Sequence, residues 1–203
     1  MKSITLIGKK VLSTVLLSLC VTTGFGQHIF NVDPVQAAEI AAFMKQPSAV
    51  EGKCNAEVLG IVTTASEFSW DDINTWKNAD GKVWADGATA DYAPTVFGFG
   101  FKKNAPYNGG ASWICLITNK DDDKWNPAIP GVADLKGNFI LSNCNATTVK
   151  IANSQINTIK ICMNNPTEDC YISTKRNSNL EQLDISGSTG KLRQIEAYKN
   201  KFR

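Results

Sequence analysis

Histidine is nearly absent from this chain: among 203 residues there is one, His28. A Ser–His or Cys–His nucleophilic pair would have to be built on that residue, and it stands in an N-terminal stretch of the kind that is usually mobile. No Cys-x-x-Cys or Cys/His spacing suits zinc. An excess of charge is also missing. There are 21 Lys and Arg against 19 Asp and Glu, so no large positive field is present to hold nucleic acid. No apolar run is long enough to cross a bilayer, which takes about 20 residues. No glycine-rich phosphate loop occurs, because Gly98 and Gly100 lie in a strand pattern and are not followed by a helix opening on Lys-Ser/Thr. No repeat of solenoid length is apparent. These gaps remove most familiar catalytic chemistries, and no cofactor is expected.

The first residues are informative. MKSITLIGKK is a basic start, Val11 to Val21 is a short apolar run, and TTGFG follows. This is the three-part form of a secretory signal peptide over 1–26, with Gly24 and Gly26 as the small residues before the cut. Leu17-Ser18-Leu19-Cys20 resembles a lipobox, but with Leu19 where a small residue is usual. Lys2, Lys9 and Lys10 lie in this leader and no acidic residue does. The remainder is therefore close to neutral. Secreted or periplasmic localisation is expected, with no membrane span after leader removal.

Export gives the cysteines a role. Cys20 leaves with the leader, and Cys54, Cys115, Cys144, Cys162 and Cys170 remain. In an oxidising compartment these are disulfide candidates. Cys162 and Cys170 flank the turn signal Asn165-Pro166 and form the first expected pair. Cys115 and Cys144 form the second. Cys54 is left as a free or intermolecular thiol.

Asp33-Pro34 is a helix start, with Asp33 as cap and Pro34 in the first turn. A helix over 34–45 follows, with Val35, Ala38 and Ala42 on its apolar side and Pro47 beyond its end. A strand is expected from Val58 to Thr64, then a short helix from Trp70 to Lys77. Beyond these the pattern is mainly β, with runs at 95–101, 112–118, 138–142, 147–152, 156–162 and 170–174. Lys191 to Phe202 spaces Leu192, Ile195 and Tyr198 like one face of a helix, after a Gly187–Gly190 linker. The fold class expected is α+β: an N-terminal helix, an antiparallel sheet of about five strands stapled by disulfides, and a short C-terminal helix. The divisions are a leader (1–26), a helical arm (27–53), a globular domain (54–186) and a C-terminal tail (187–203). This layout resembles pilin-type subunits in architecture. It lacks their N-terminal motif, since Ser3 and Gly8 stand where Gly and Glu are usual.

Aromatic residues are the most suggestive candidates for binding. Trp70, Trp76, Trp84, Tyr92, Tyr107 and Trp125 fall in or near loops, where exposed rings anchor partners. Glu67, Asp71 and Asp72 beside Trp70 and Trp76 offer the acid–base pair of a glycan hydrolase. Asn119, Asp121 and Asp123 alternate like the start of a calcium loop, but Lys124 and Pro130 occupy the places where an EF-hand needs Gly and Glu. Asn145-Ala-Thr147 is a glycosylation sequon. The function expected is that of an exported, non-enzymatic binding or assembly protein of the cell envelope or extracellular space. It would be adhesin-like, or an accessory of a pilus or secretion apparatus, with a protein or glycan at the cell surface as partner and oligomerisation allowed. A small carboxylate-dependent hydrolase and a secreted toxin or inhibitor are the alternatives.

Overall fold

Asp33 caps the first helix through its Oδ1, which accepts from the Gln36 N–H at 2.9 Å, and Pro34 takes the first helical position. The helix, α1, runs Pro34–Lys45. In this computed structural model the described residues are 33–81, 92–93, 98–102, 111–118 and 129–202. The expected leader with Cys20, His28, Trp84, Tyr107, Trp125 and the Asn119–Asp123 run lie outside them. Helix α1 buries Gln36, Ile40, Ala41, Phe43 and Met44. Val35, Ala38 and Ala42, expected on the packing side, are exposed instead. The helix turns its larger side chains inward, and the Phe43 ring meets Phe139 edge-on at 5.0 Å, a favoured aromatic geometry. A one-turn helix, α2, follows at Asn55–Val58. The strand expected over 58–64 and the helix expected over 70–77 are absent. In their place are turns and a single 3-10 turn, Ile73–Thr75, capped by the Asp72 carboxylate.

The strands are β1 Tyr92–Ala93, β2 Phe99–Lys102, β3 Ala111–Ile117, β4 Lys136–Cys144, β5 Thr148–Ala152, β6 Gln155–Met163, β7 Asp169–Lys175, β8 Gln182–Asp184 and β9 Lys191–Tyr198. They make two sheets, ordered β1-β2-β3-β5-β7-β9 and β4-β6-β8. Only β1–β2 and β2–β3 are antiparallel. The pairs β3–β5, β5–β7, β7–β9, β4–β6 and β6–β8 are all parallel.

The expected antiparallel sheet is therefore corrected, and the architectural resemblance to pilin-type subunits lapses with it. Short links between strands suggested hairpins. Here each link carries the chain to the facing sheet, so a strand pairs with the next but one. From β3 onward the chain coils as a two-sheeted parallel solenoid. Thr148 pairs with Tyr171, and Tyr171 with Gln194, a step of 23 residues each time. Among the described residues, the same step separates the three non-glycine residues with positive φ: Asn153 (59°), Arg176 (53°) and Lys199 (56°). Each ends a strand of the larger sheet at the corner where the chain turns, in the left-handed region that few side chains favour.

A ladder stands next to each corner. Asn177 is fully buried. Its Oδ1 accepts from the Ser154 N–H (3.0 Å) and hydroxyl (2.9 Å), and its Nδ2 donates to the Ile151 carbonyl at 3.0 Å. One coil on, Asn200 Oδ1 accepts from the Asn177 N–H at 3.1 Å, and Asn200 Nδ2 donates to the Thr174 carbonyl at 2.9 Å. A buried amide satisfied on both sides fixes the stacking of successive coils. Exact 23-residue spacing shows only at these corners and, in the larger sheet, from β5 to β7 and from Tyr171 onward between β7 and β9. In the smaller sheet Lys136 pairs with Gln155 and Thr158 with Gln182, so the step varies with loop length. That variation conceals the repeat from a reading of the sequence alone.

The C-terminal helix is also corrected. Lys191–Tyr198 is β9, in parallel register with β7. A register shift between Cys170 and Tyr171 sets Leu192 opposite Cys170 and Ile195 opposite Ile172. The irregularity makes a three-residue spacing compatible with one face of a strand.

The disulfide staples are corrected too: no disulfide joins any of Cys54, Cys115, Cys144, Cys162 and Cys170. Strand parity gives the reason. Cys144 and Cys170 belong to the core between the sheets. Cys162 alternates with the inward Ile161 and Met163, so it faces outward, and its thiol donates to the Ser186 carbonyl at 3.2 Å. Cys115 lies in register with outward Lys150, between Ile114 and Leu116, which are in register with the buried Val149 and Ile151. Each expected pair therefore joins an inward to an outward position.

The edge of β4 is closed by side chains. Asn55 donates through Nδ2 to the Lys136 carbonyl (2.8 Å) and accepts its N–H at Oδ1 (3.1 Å). Gln46 does the same for Asn138, at 2.8 and 2.7 Å. Both Glu39 oxygens accept from the Ser142 N–H, and Gln36 Nε2 donates to the Asn143 carbonyl. Between Lys136 and Asn138 sits Gly137, with φ of 94° and Gln46 Oε1 in the place a Cβ would take. Only glycine fits there.

Candidate functional site

The interior of the solenoid is filled by Phe139, Leu141, Val149, Ile151, Ile159, Ile161 and Ile172. The alternate side chains of the larger sheet point outward and stack in register across β5, β7 and β9. One column is Thr148–Tyr171–Gln194, the next Lys150–Ser173–Glu196, and the third Ala152–Lys175–Tyr198. Strands pair about 4.8 Å apart, so each column presents side chains at that spacing.

This face holds a groove of about 350 Å³ lined by Thr148, Lys150, Tyr171, Lys175, Gln194 and Glu196, among others. Tyr171, 38% exposed, belongs to this lining, and Tyr198, 42% exposed, stands on the same face beside Lys175. They are one strand and four residues apart in register, on the order of 14 Å from the spacings of a sheet. A polar network lies between them. Glu196 Oε2 meets Lys175 Nζ at 3.0 Å and accepts the Ser173 hydroxyl at 3.1 Å, while Oε1 accepts from Gln194 Nε2 at 2.7 Å. Lys175 Nζ also lies 5.1 Å from the centre of the Tyr198 ring, within cation–π range. The hydrogen bond to Lys175 is the main cause that holds the Glu196 carboxyl below its usual pKa, against a smaller opposing effect of burial. Partial burial pulls the Lys175 ammonium down, but Glu196 and Tyr198 together leave its pKa raised. The pair is thus charged across the ordinary pH range and preorganised.

The described candidates read from the sequence lie elsewhere. Trp76 is fully buried, with its indole N–H donating to the Ser69 carbonyl at 2.8 Å. Trp70 packs edge-on to Trp76 (5.9 Å) and to Phe68 (4.8 Å), with Lys45 Nζ 5.4 Å from its ring. The two tryptophans close the core under α1. Tyr92 lies on β1, paired with Lys102. Glu67 is in an ion pair with Lys77 at 2.8 Å, which drives its pKa down to about 2. A carboxylate so held does not donate a proton near neutrality. Asp72 is engaged in capping, accepting from the Asn74 N–H at 3.0 Å, and the exposed Asp71 takes its N–H to Ser69 Oγ at 3.3 Å. Cys54 heads α2, with its N–H on Glu57 Oε2, and burial raises its thiol pKa.

The residues of the groove escaped the sequence analysis because they sit inside strands. Tyr171 falls in the run expected at 170–174, Lys175 lies just beyond it, and Tyr198 falls in the expected C-terminal helix. Tyr-x-x-x-Lys at 171–175 and Gln-x-x-x-Tyr at 194–198 combine only through the 23-residue register.

No family model, curated protein or solved structure matches this chain. Among the described residues, no helix is long and apolar enough to cross a membrane, and no group of three His, Cys, Asp or Glu is placed to hold a metal ion.

Proposed function

We propose that the protein is an exported, non-enzymatic binding protein of the cell envelope or extracellular space, and that it takes an extended polysaccharide on the outer face of β5, β7 and β9. One observation carries this reading: Tyr171 and Tyr198 stand exposed at the two ends of a fixed Lys175–Glu196–Ser173–Gln194 network. Tyrosine rings offer an apolar surface for the C–H face of a sugar and a hydroxyl at the rim. Amide, hydroxyl and charged groups between them hydrogen-bond ring hydroxyls. The groove is shallow and set on strands, which suits a chain passing over a surface rather than a small molecule enclosed by one.

Affinity electrophoresis against a panel of soluble linear polysaccharides tests the proposal, with calorimetry on any that retard the protein. Tyr171→Ala and Tyr198→Ala should each weaken binding by about three- to tenfold, the equivalent of one aromatic contact. A panel without a binder, or a binder whose affinity the double variant leaves unchanged, would overturn it.

A further inference from the structure

A sheet edge exposes a row of unpaired N–H and C=O groups, and among the described residues each edge but one is short or closed. Strand β1 has two residues and β8 has three. Strand β4 is closed by Asn55, Gln46, Glu39 and Gln36. Strand β9 has eight residues, and beyond β7 it pairs with no strand among the described residues. Its inward residue Ile195 is aligned with Ile172, which is 1% exposed, yet Ile195 is 47% exposed. The interior of the last coil is open at that end.

We propose that the β9 edge is the contact between two copies of this chain, paired antiparallel about a two-fold axis through Ile195. Three features select this occupant. The far edge of the smaller sheet, β4, is closed by α1 and α2, and the far edge of β9's own sheet, β1, has two residues among those described, so head-to-tail stacking of coils meets no long open edge and a two-fold pairing of like edges is the arrangement that closes. Residues directly opposite each other in an antiparallel pair point to the same face. Centring on a residue satisfies that condition across 194–196, whereas centring between residues sets inward against outward side chains. Among the residue-centred registers, Arg193 would oppose itself in one and Glu196 in another. Centring on Ile195 pairs the two exposed isoleucines, sets Gln194 against Glu196 of the other copy and Arg193 against Ala197, and overlaps the strands over nearly their full length. The same axis places both outer faces on one side, which joins the two grooves into a single six-stranded surface. The pairing stands on the edge and on Ile195, independently of any glycan.

Sedimentation equilibrium of the full exported chain is the test. A mass of two chains is expected, falling to one chain in Ile195→Lys with the circular dichroism spectrum and thermal midpoint retained. Ile195→Cys under mild oxidation should give a covalent dimer that the wild type, oxidised alongside it, does not. A wild-type monomer at all concentrations up to about 100 μM, an assembly larger than a dimer, or an Ile195→Cys chain that stays uncrosslinked would each overturn the proposal.

Discussion

The carboxamide of Gln46 stands beside Asn138 as the peptide group of a neighbouring strand would, donating at 2.8 Å and accepting at 2.7 Å. Two positions back along β4, Asn55 repeats the arrangement on Lys136 and also donates to the Phe43 carbonyl at 3.0 Å. Their cost of removal should differ with burial. Gln46 is half-buried and Asn55 is fully buried. Water replaces what Gln46 gives up, so Gln46→Ala should destabilise by about 1 kcal/mol, and Asn55→Ala by about 3 kcal/mol. Urea unfolding of the two variants checks this, and equal costs would remove the edge-closing role of Asn55.

The ladder predicts a gradient along the solenoid. Asn177 lies between two coils and Asn200 in the last one, where it is partly exposed. Asn177→Ala should cost about 3 kcal/mol, since the site is closed to water, and Asn200→Ala about 1 kcal/mol, since water can enter the half-exposed place that Asn200 vacates. Hydrogen exchange should show Asn200→Ala releasing β9 amides while those of β5 stay protected.

Thiol accessibility follows burial. Burial pushes the Cys144 thiol up to about 12 and raises that of Cys170. A thiol reagent at pH 8 should modify the two half-buried cysteines, Cys54 and Cys162, in the native protein. Cys115, Cys144 and Cys170 should react only after denaturation. Peptide mapping of the labelled sites decides it, and early labelling of Cys144 would contradict the inward placement.

The Lys175–Glu196 pair gives stability a defined pH window. The folded Glu196 pKa is depressed, so its contribution is complete above about 4.3, the ordinary glutamate value, and is lost as pH falls through the folded value. The folded Lys175 pKa is raised, so its contribution is complete below about 10.4 and is lost as pH rises through the folded value. Between these limits the pair is constant. Glu196→Gln should therefore flatten part of the acid limb of the urea midpoint between pH 5 and pH 2.5, while leaving the slope from pH 6 to 8 unchanged. An acid limb identical to that of the wild type would show the pair to be energetically idle.

Strand positions were legible because alternation is a local property. Runs such as Ile156-Asn-Thr-Ile-Lys-Ile-Cys162 declare a strand whatever its neighbour. Pairing was not legible. Thr148 and Tyr171 share no side-chain type, and the step that relates them is stated only by backbone conformation at Asn153, Arg176 and Lys199. The α1 cap was legible from Asp33-Pro34. The face it buries was not, since Val35, Ala38 and Ala42 are as apolar as a packing stripe and lose only to the larger Ile40, Phe43 and Met44. The tryptophans misled for a related reason: nothing local distinguishes a ring that closes a core from one that meets a ligand.

The corners at Asn153, Arg176 and Lys199 make length a countable property of this molecule. Excising 154–176 would join Asn153 directly to Asn177 and hand each ladder contact to its equivalent one coil on. The outer face would shorten by a single strand spacing, about 4.8 Å, without a change in its grain. A surface assembled in such units can be lengthened or shortened by whole coils, and its reach over a partner is then set by how many times the chain turns.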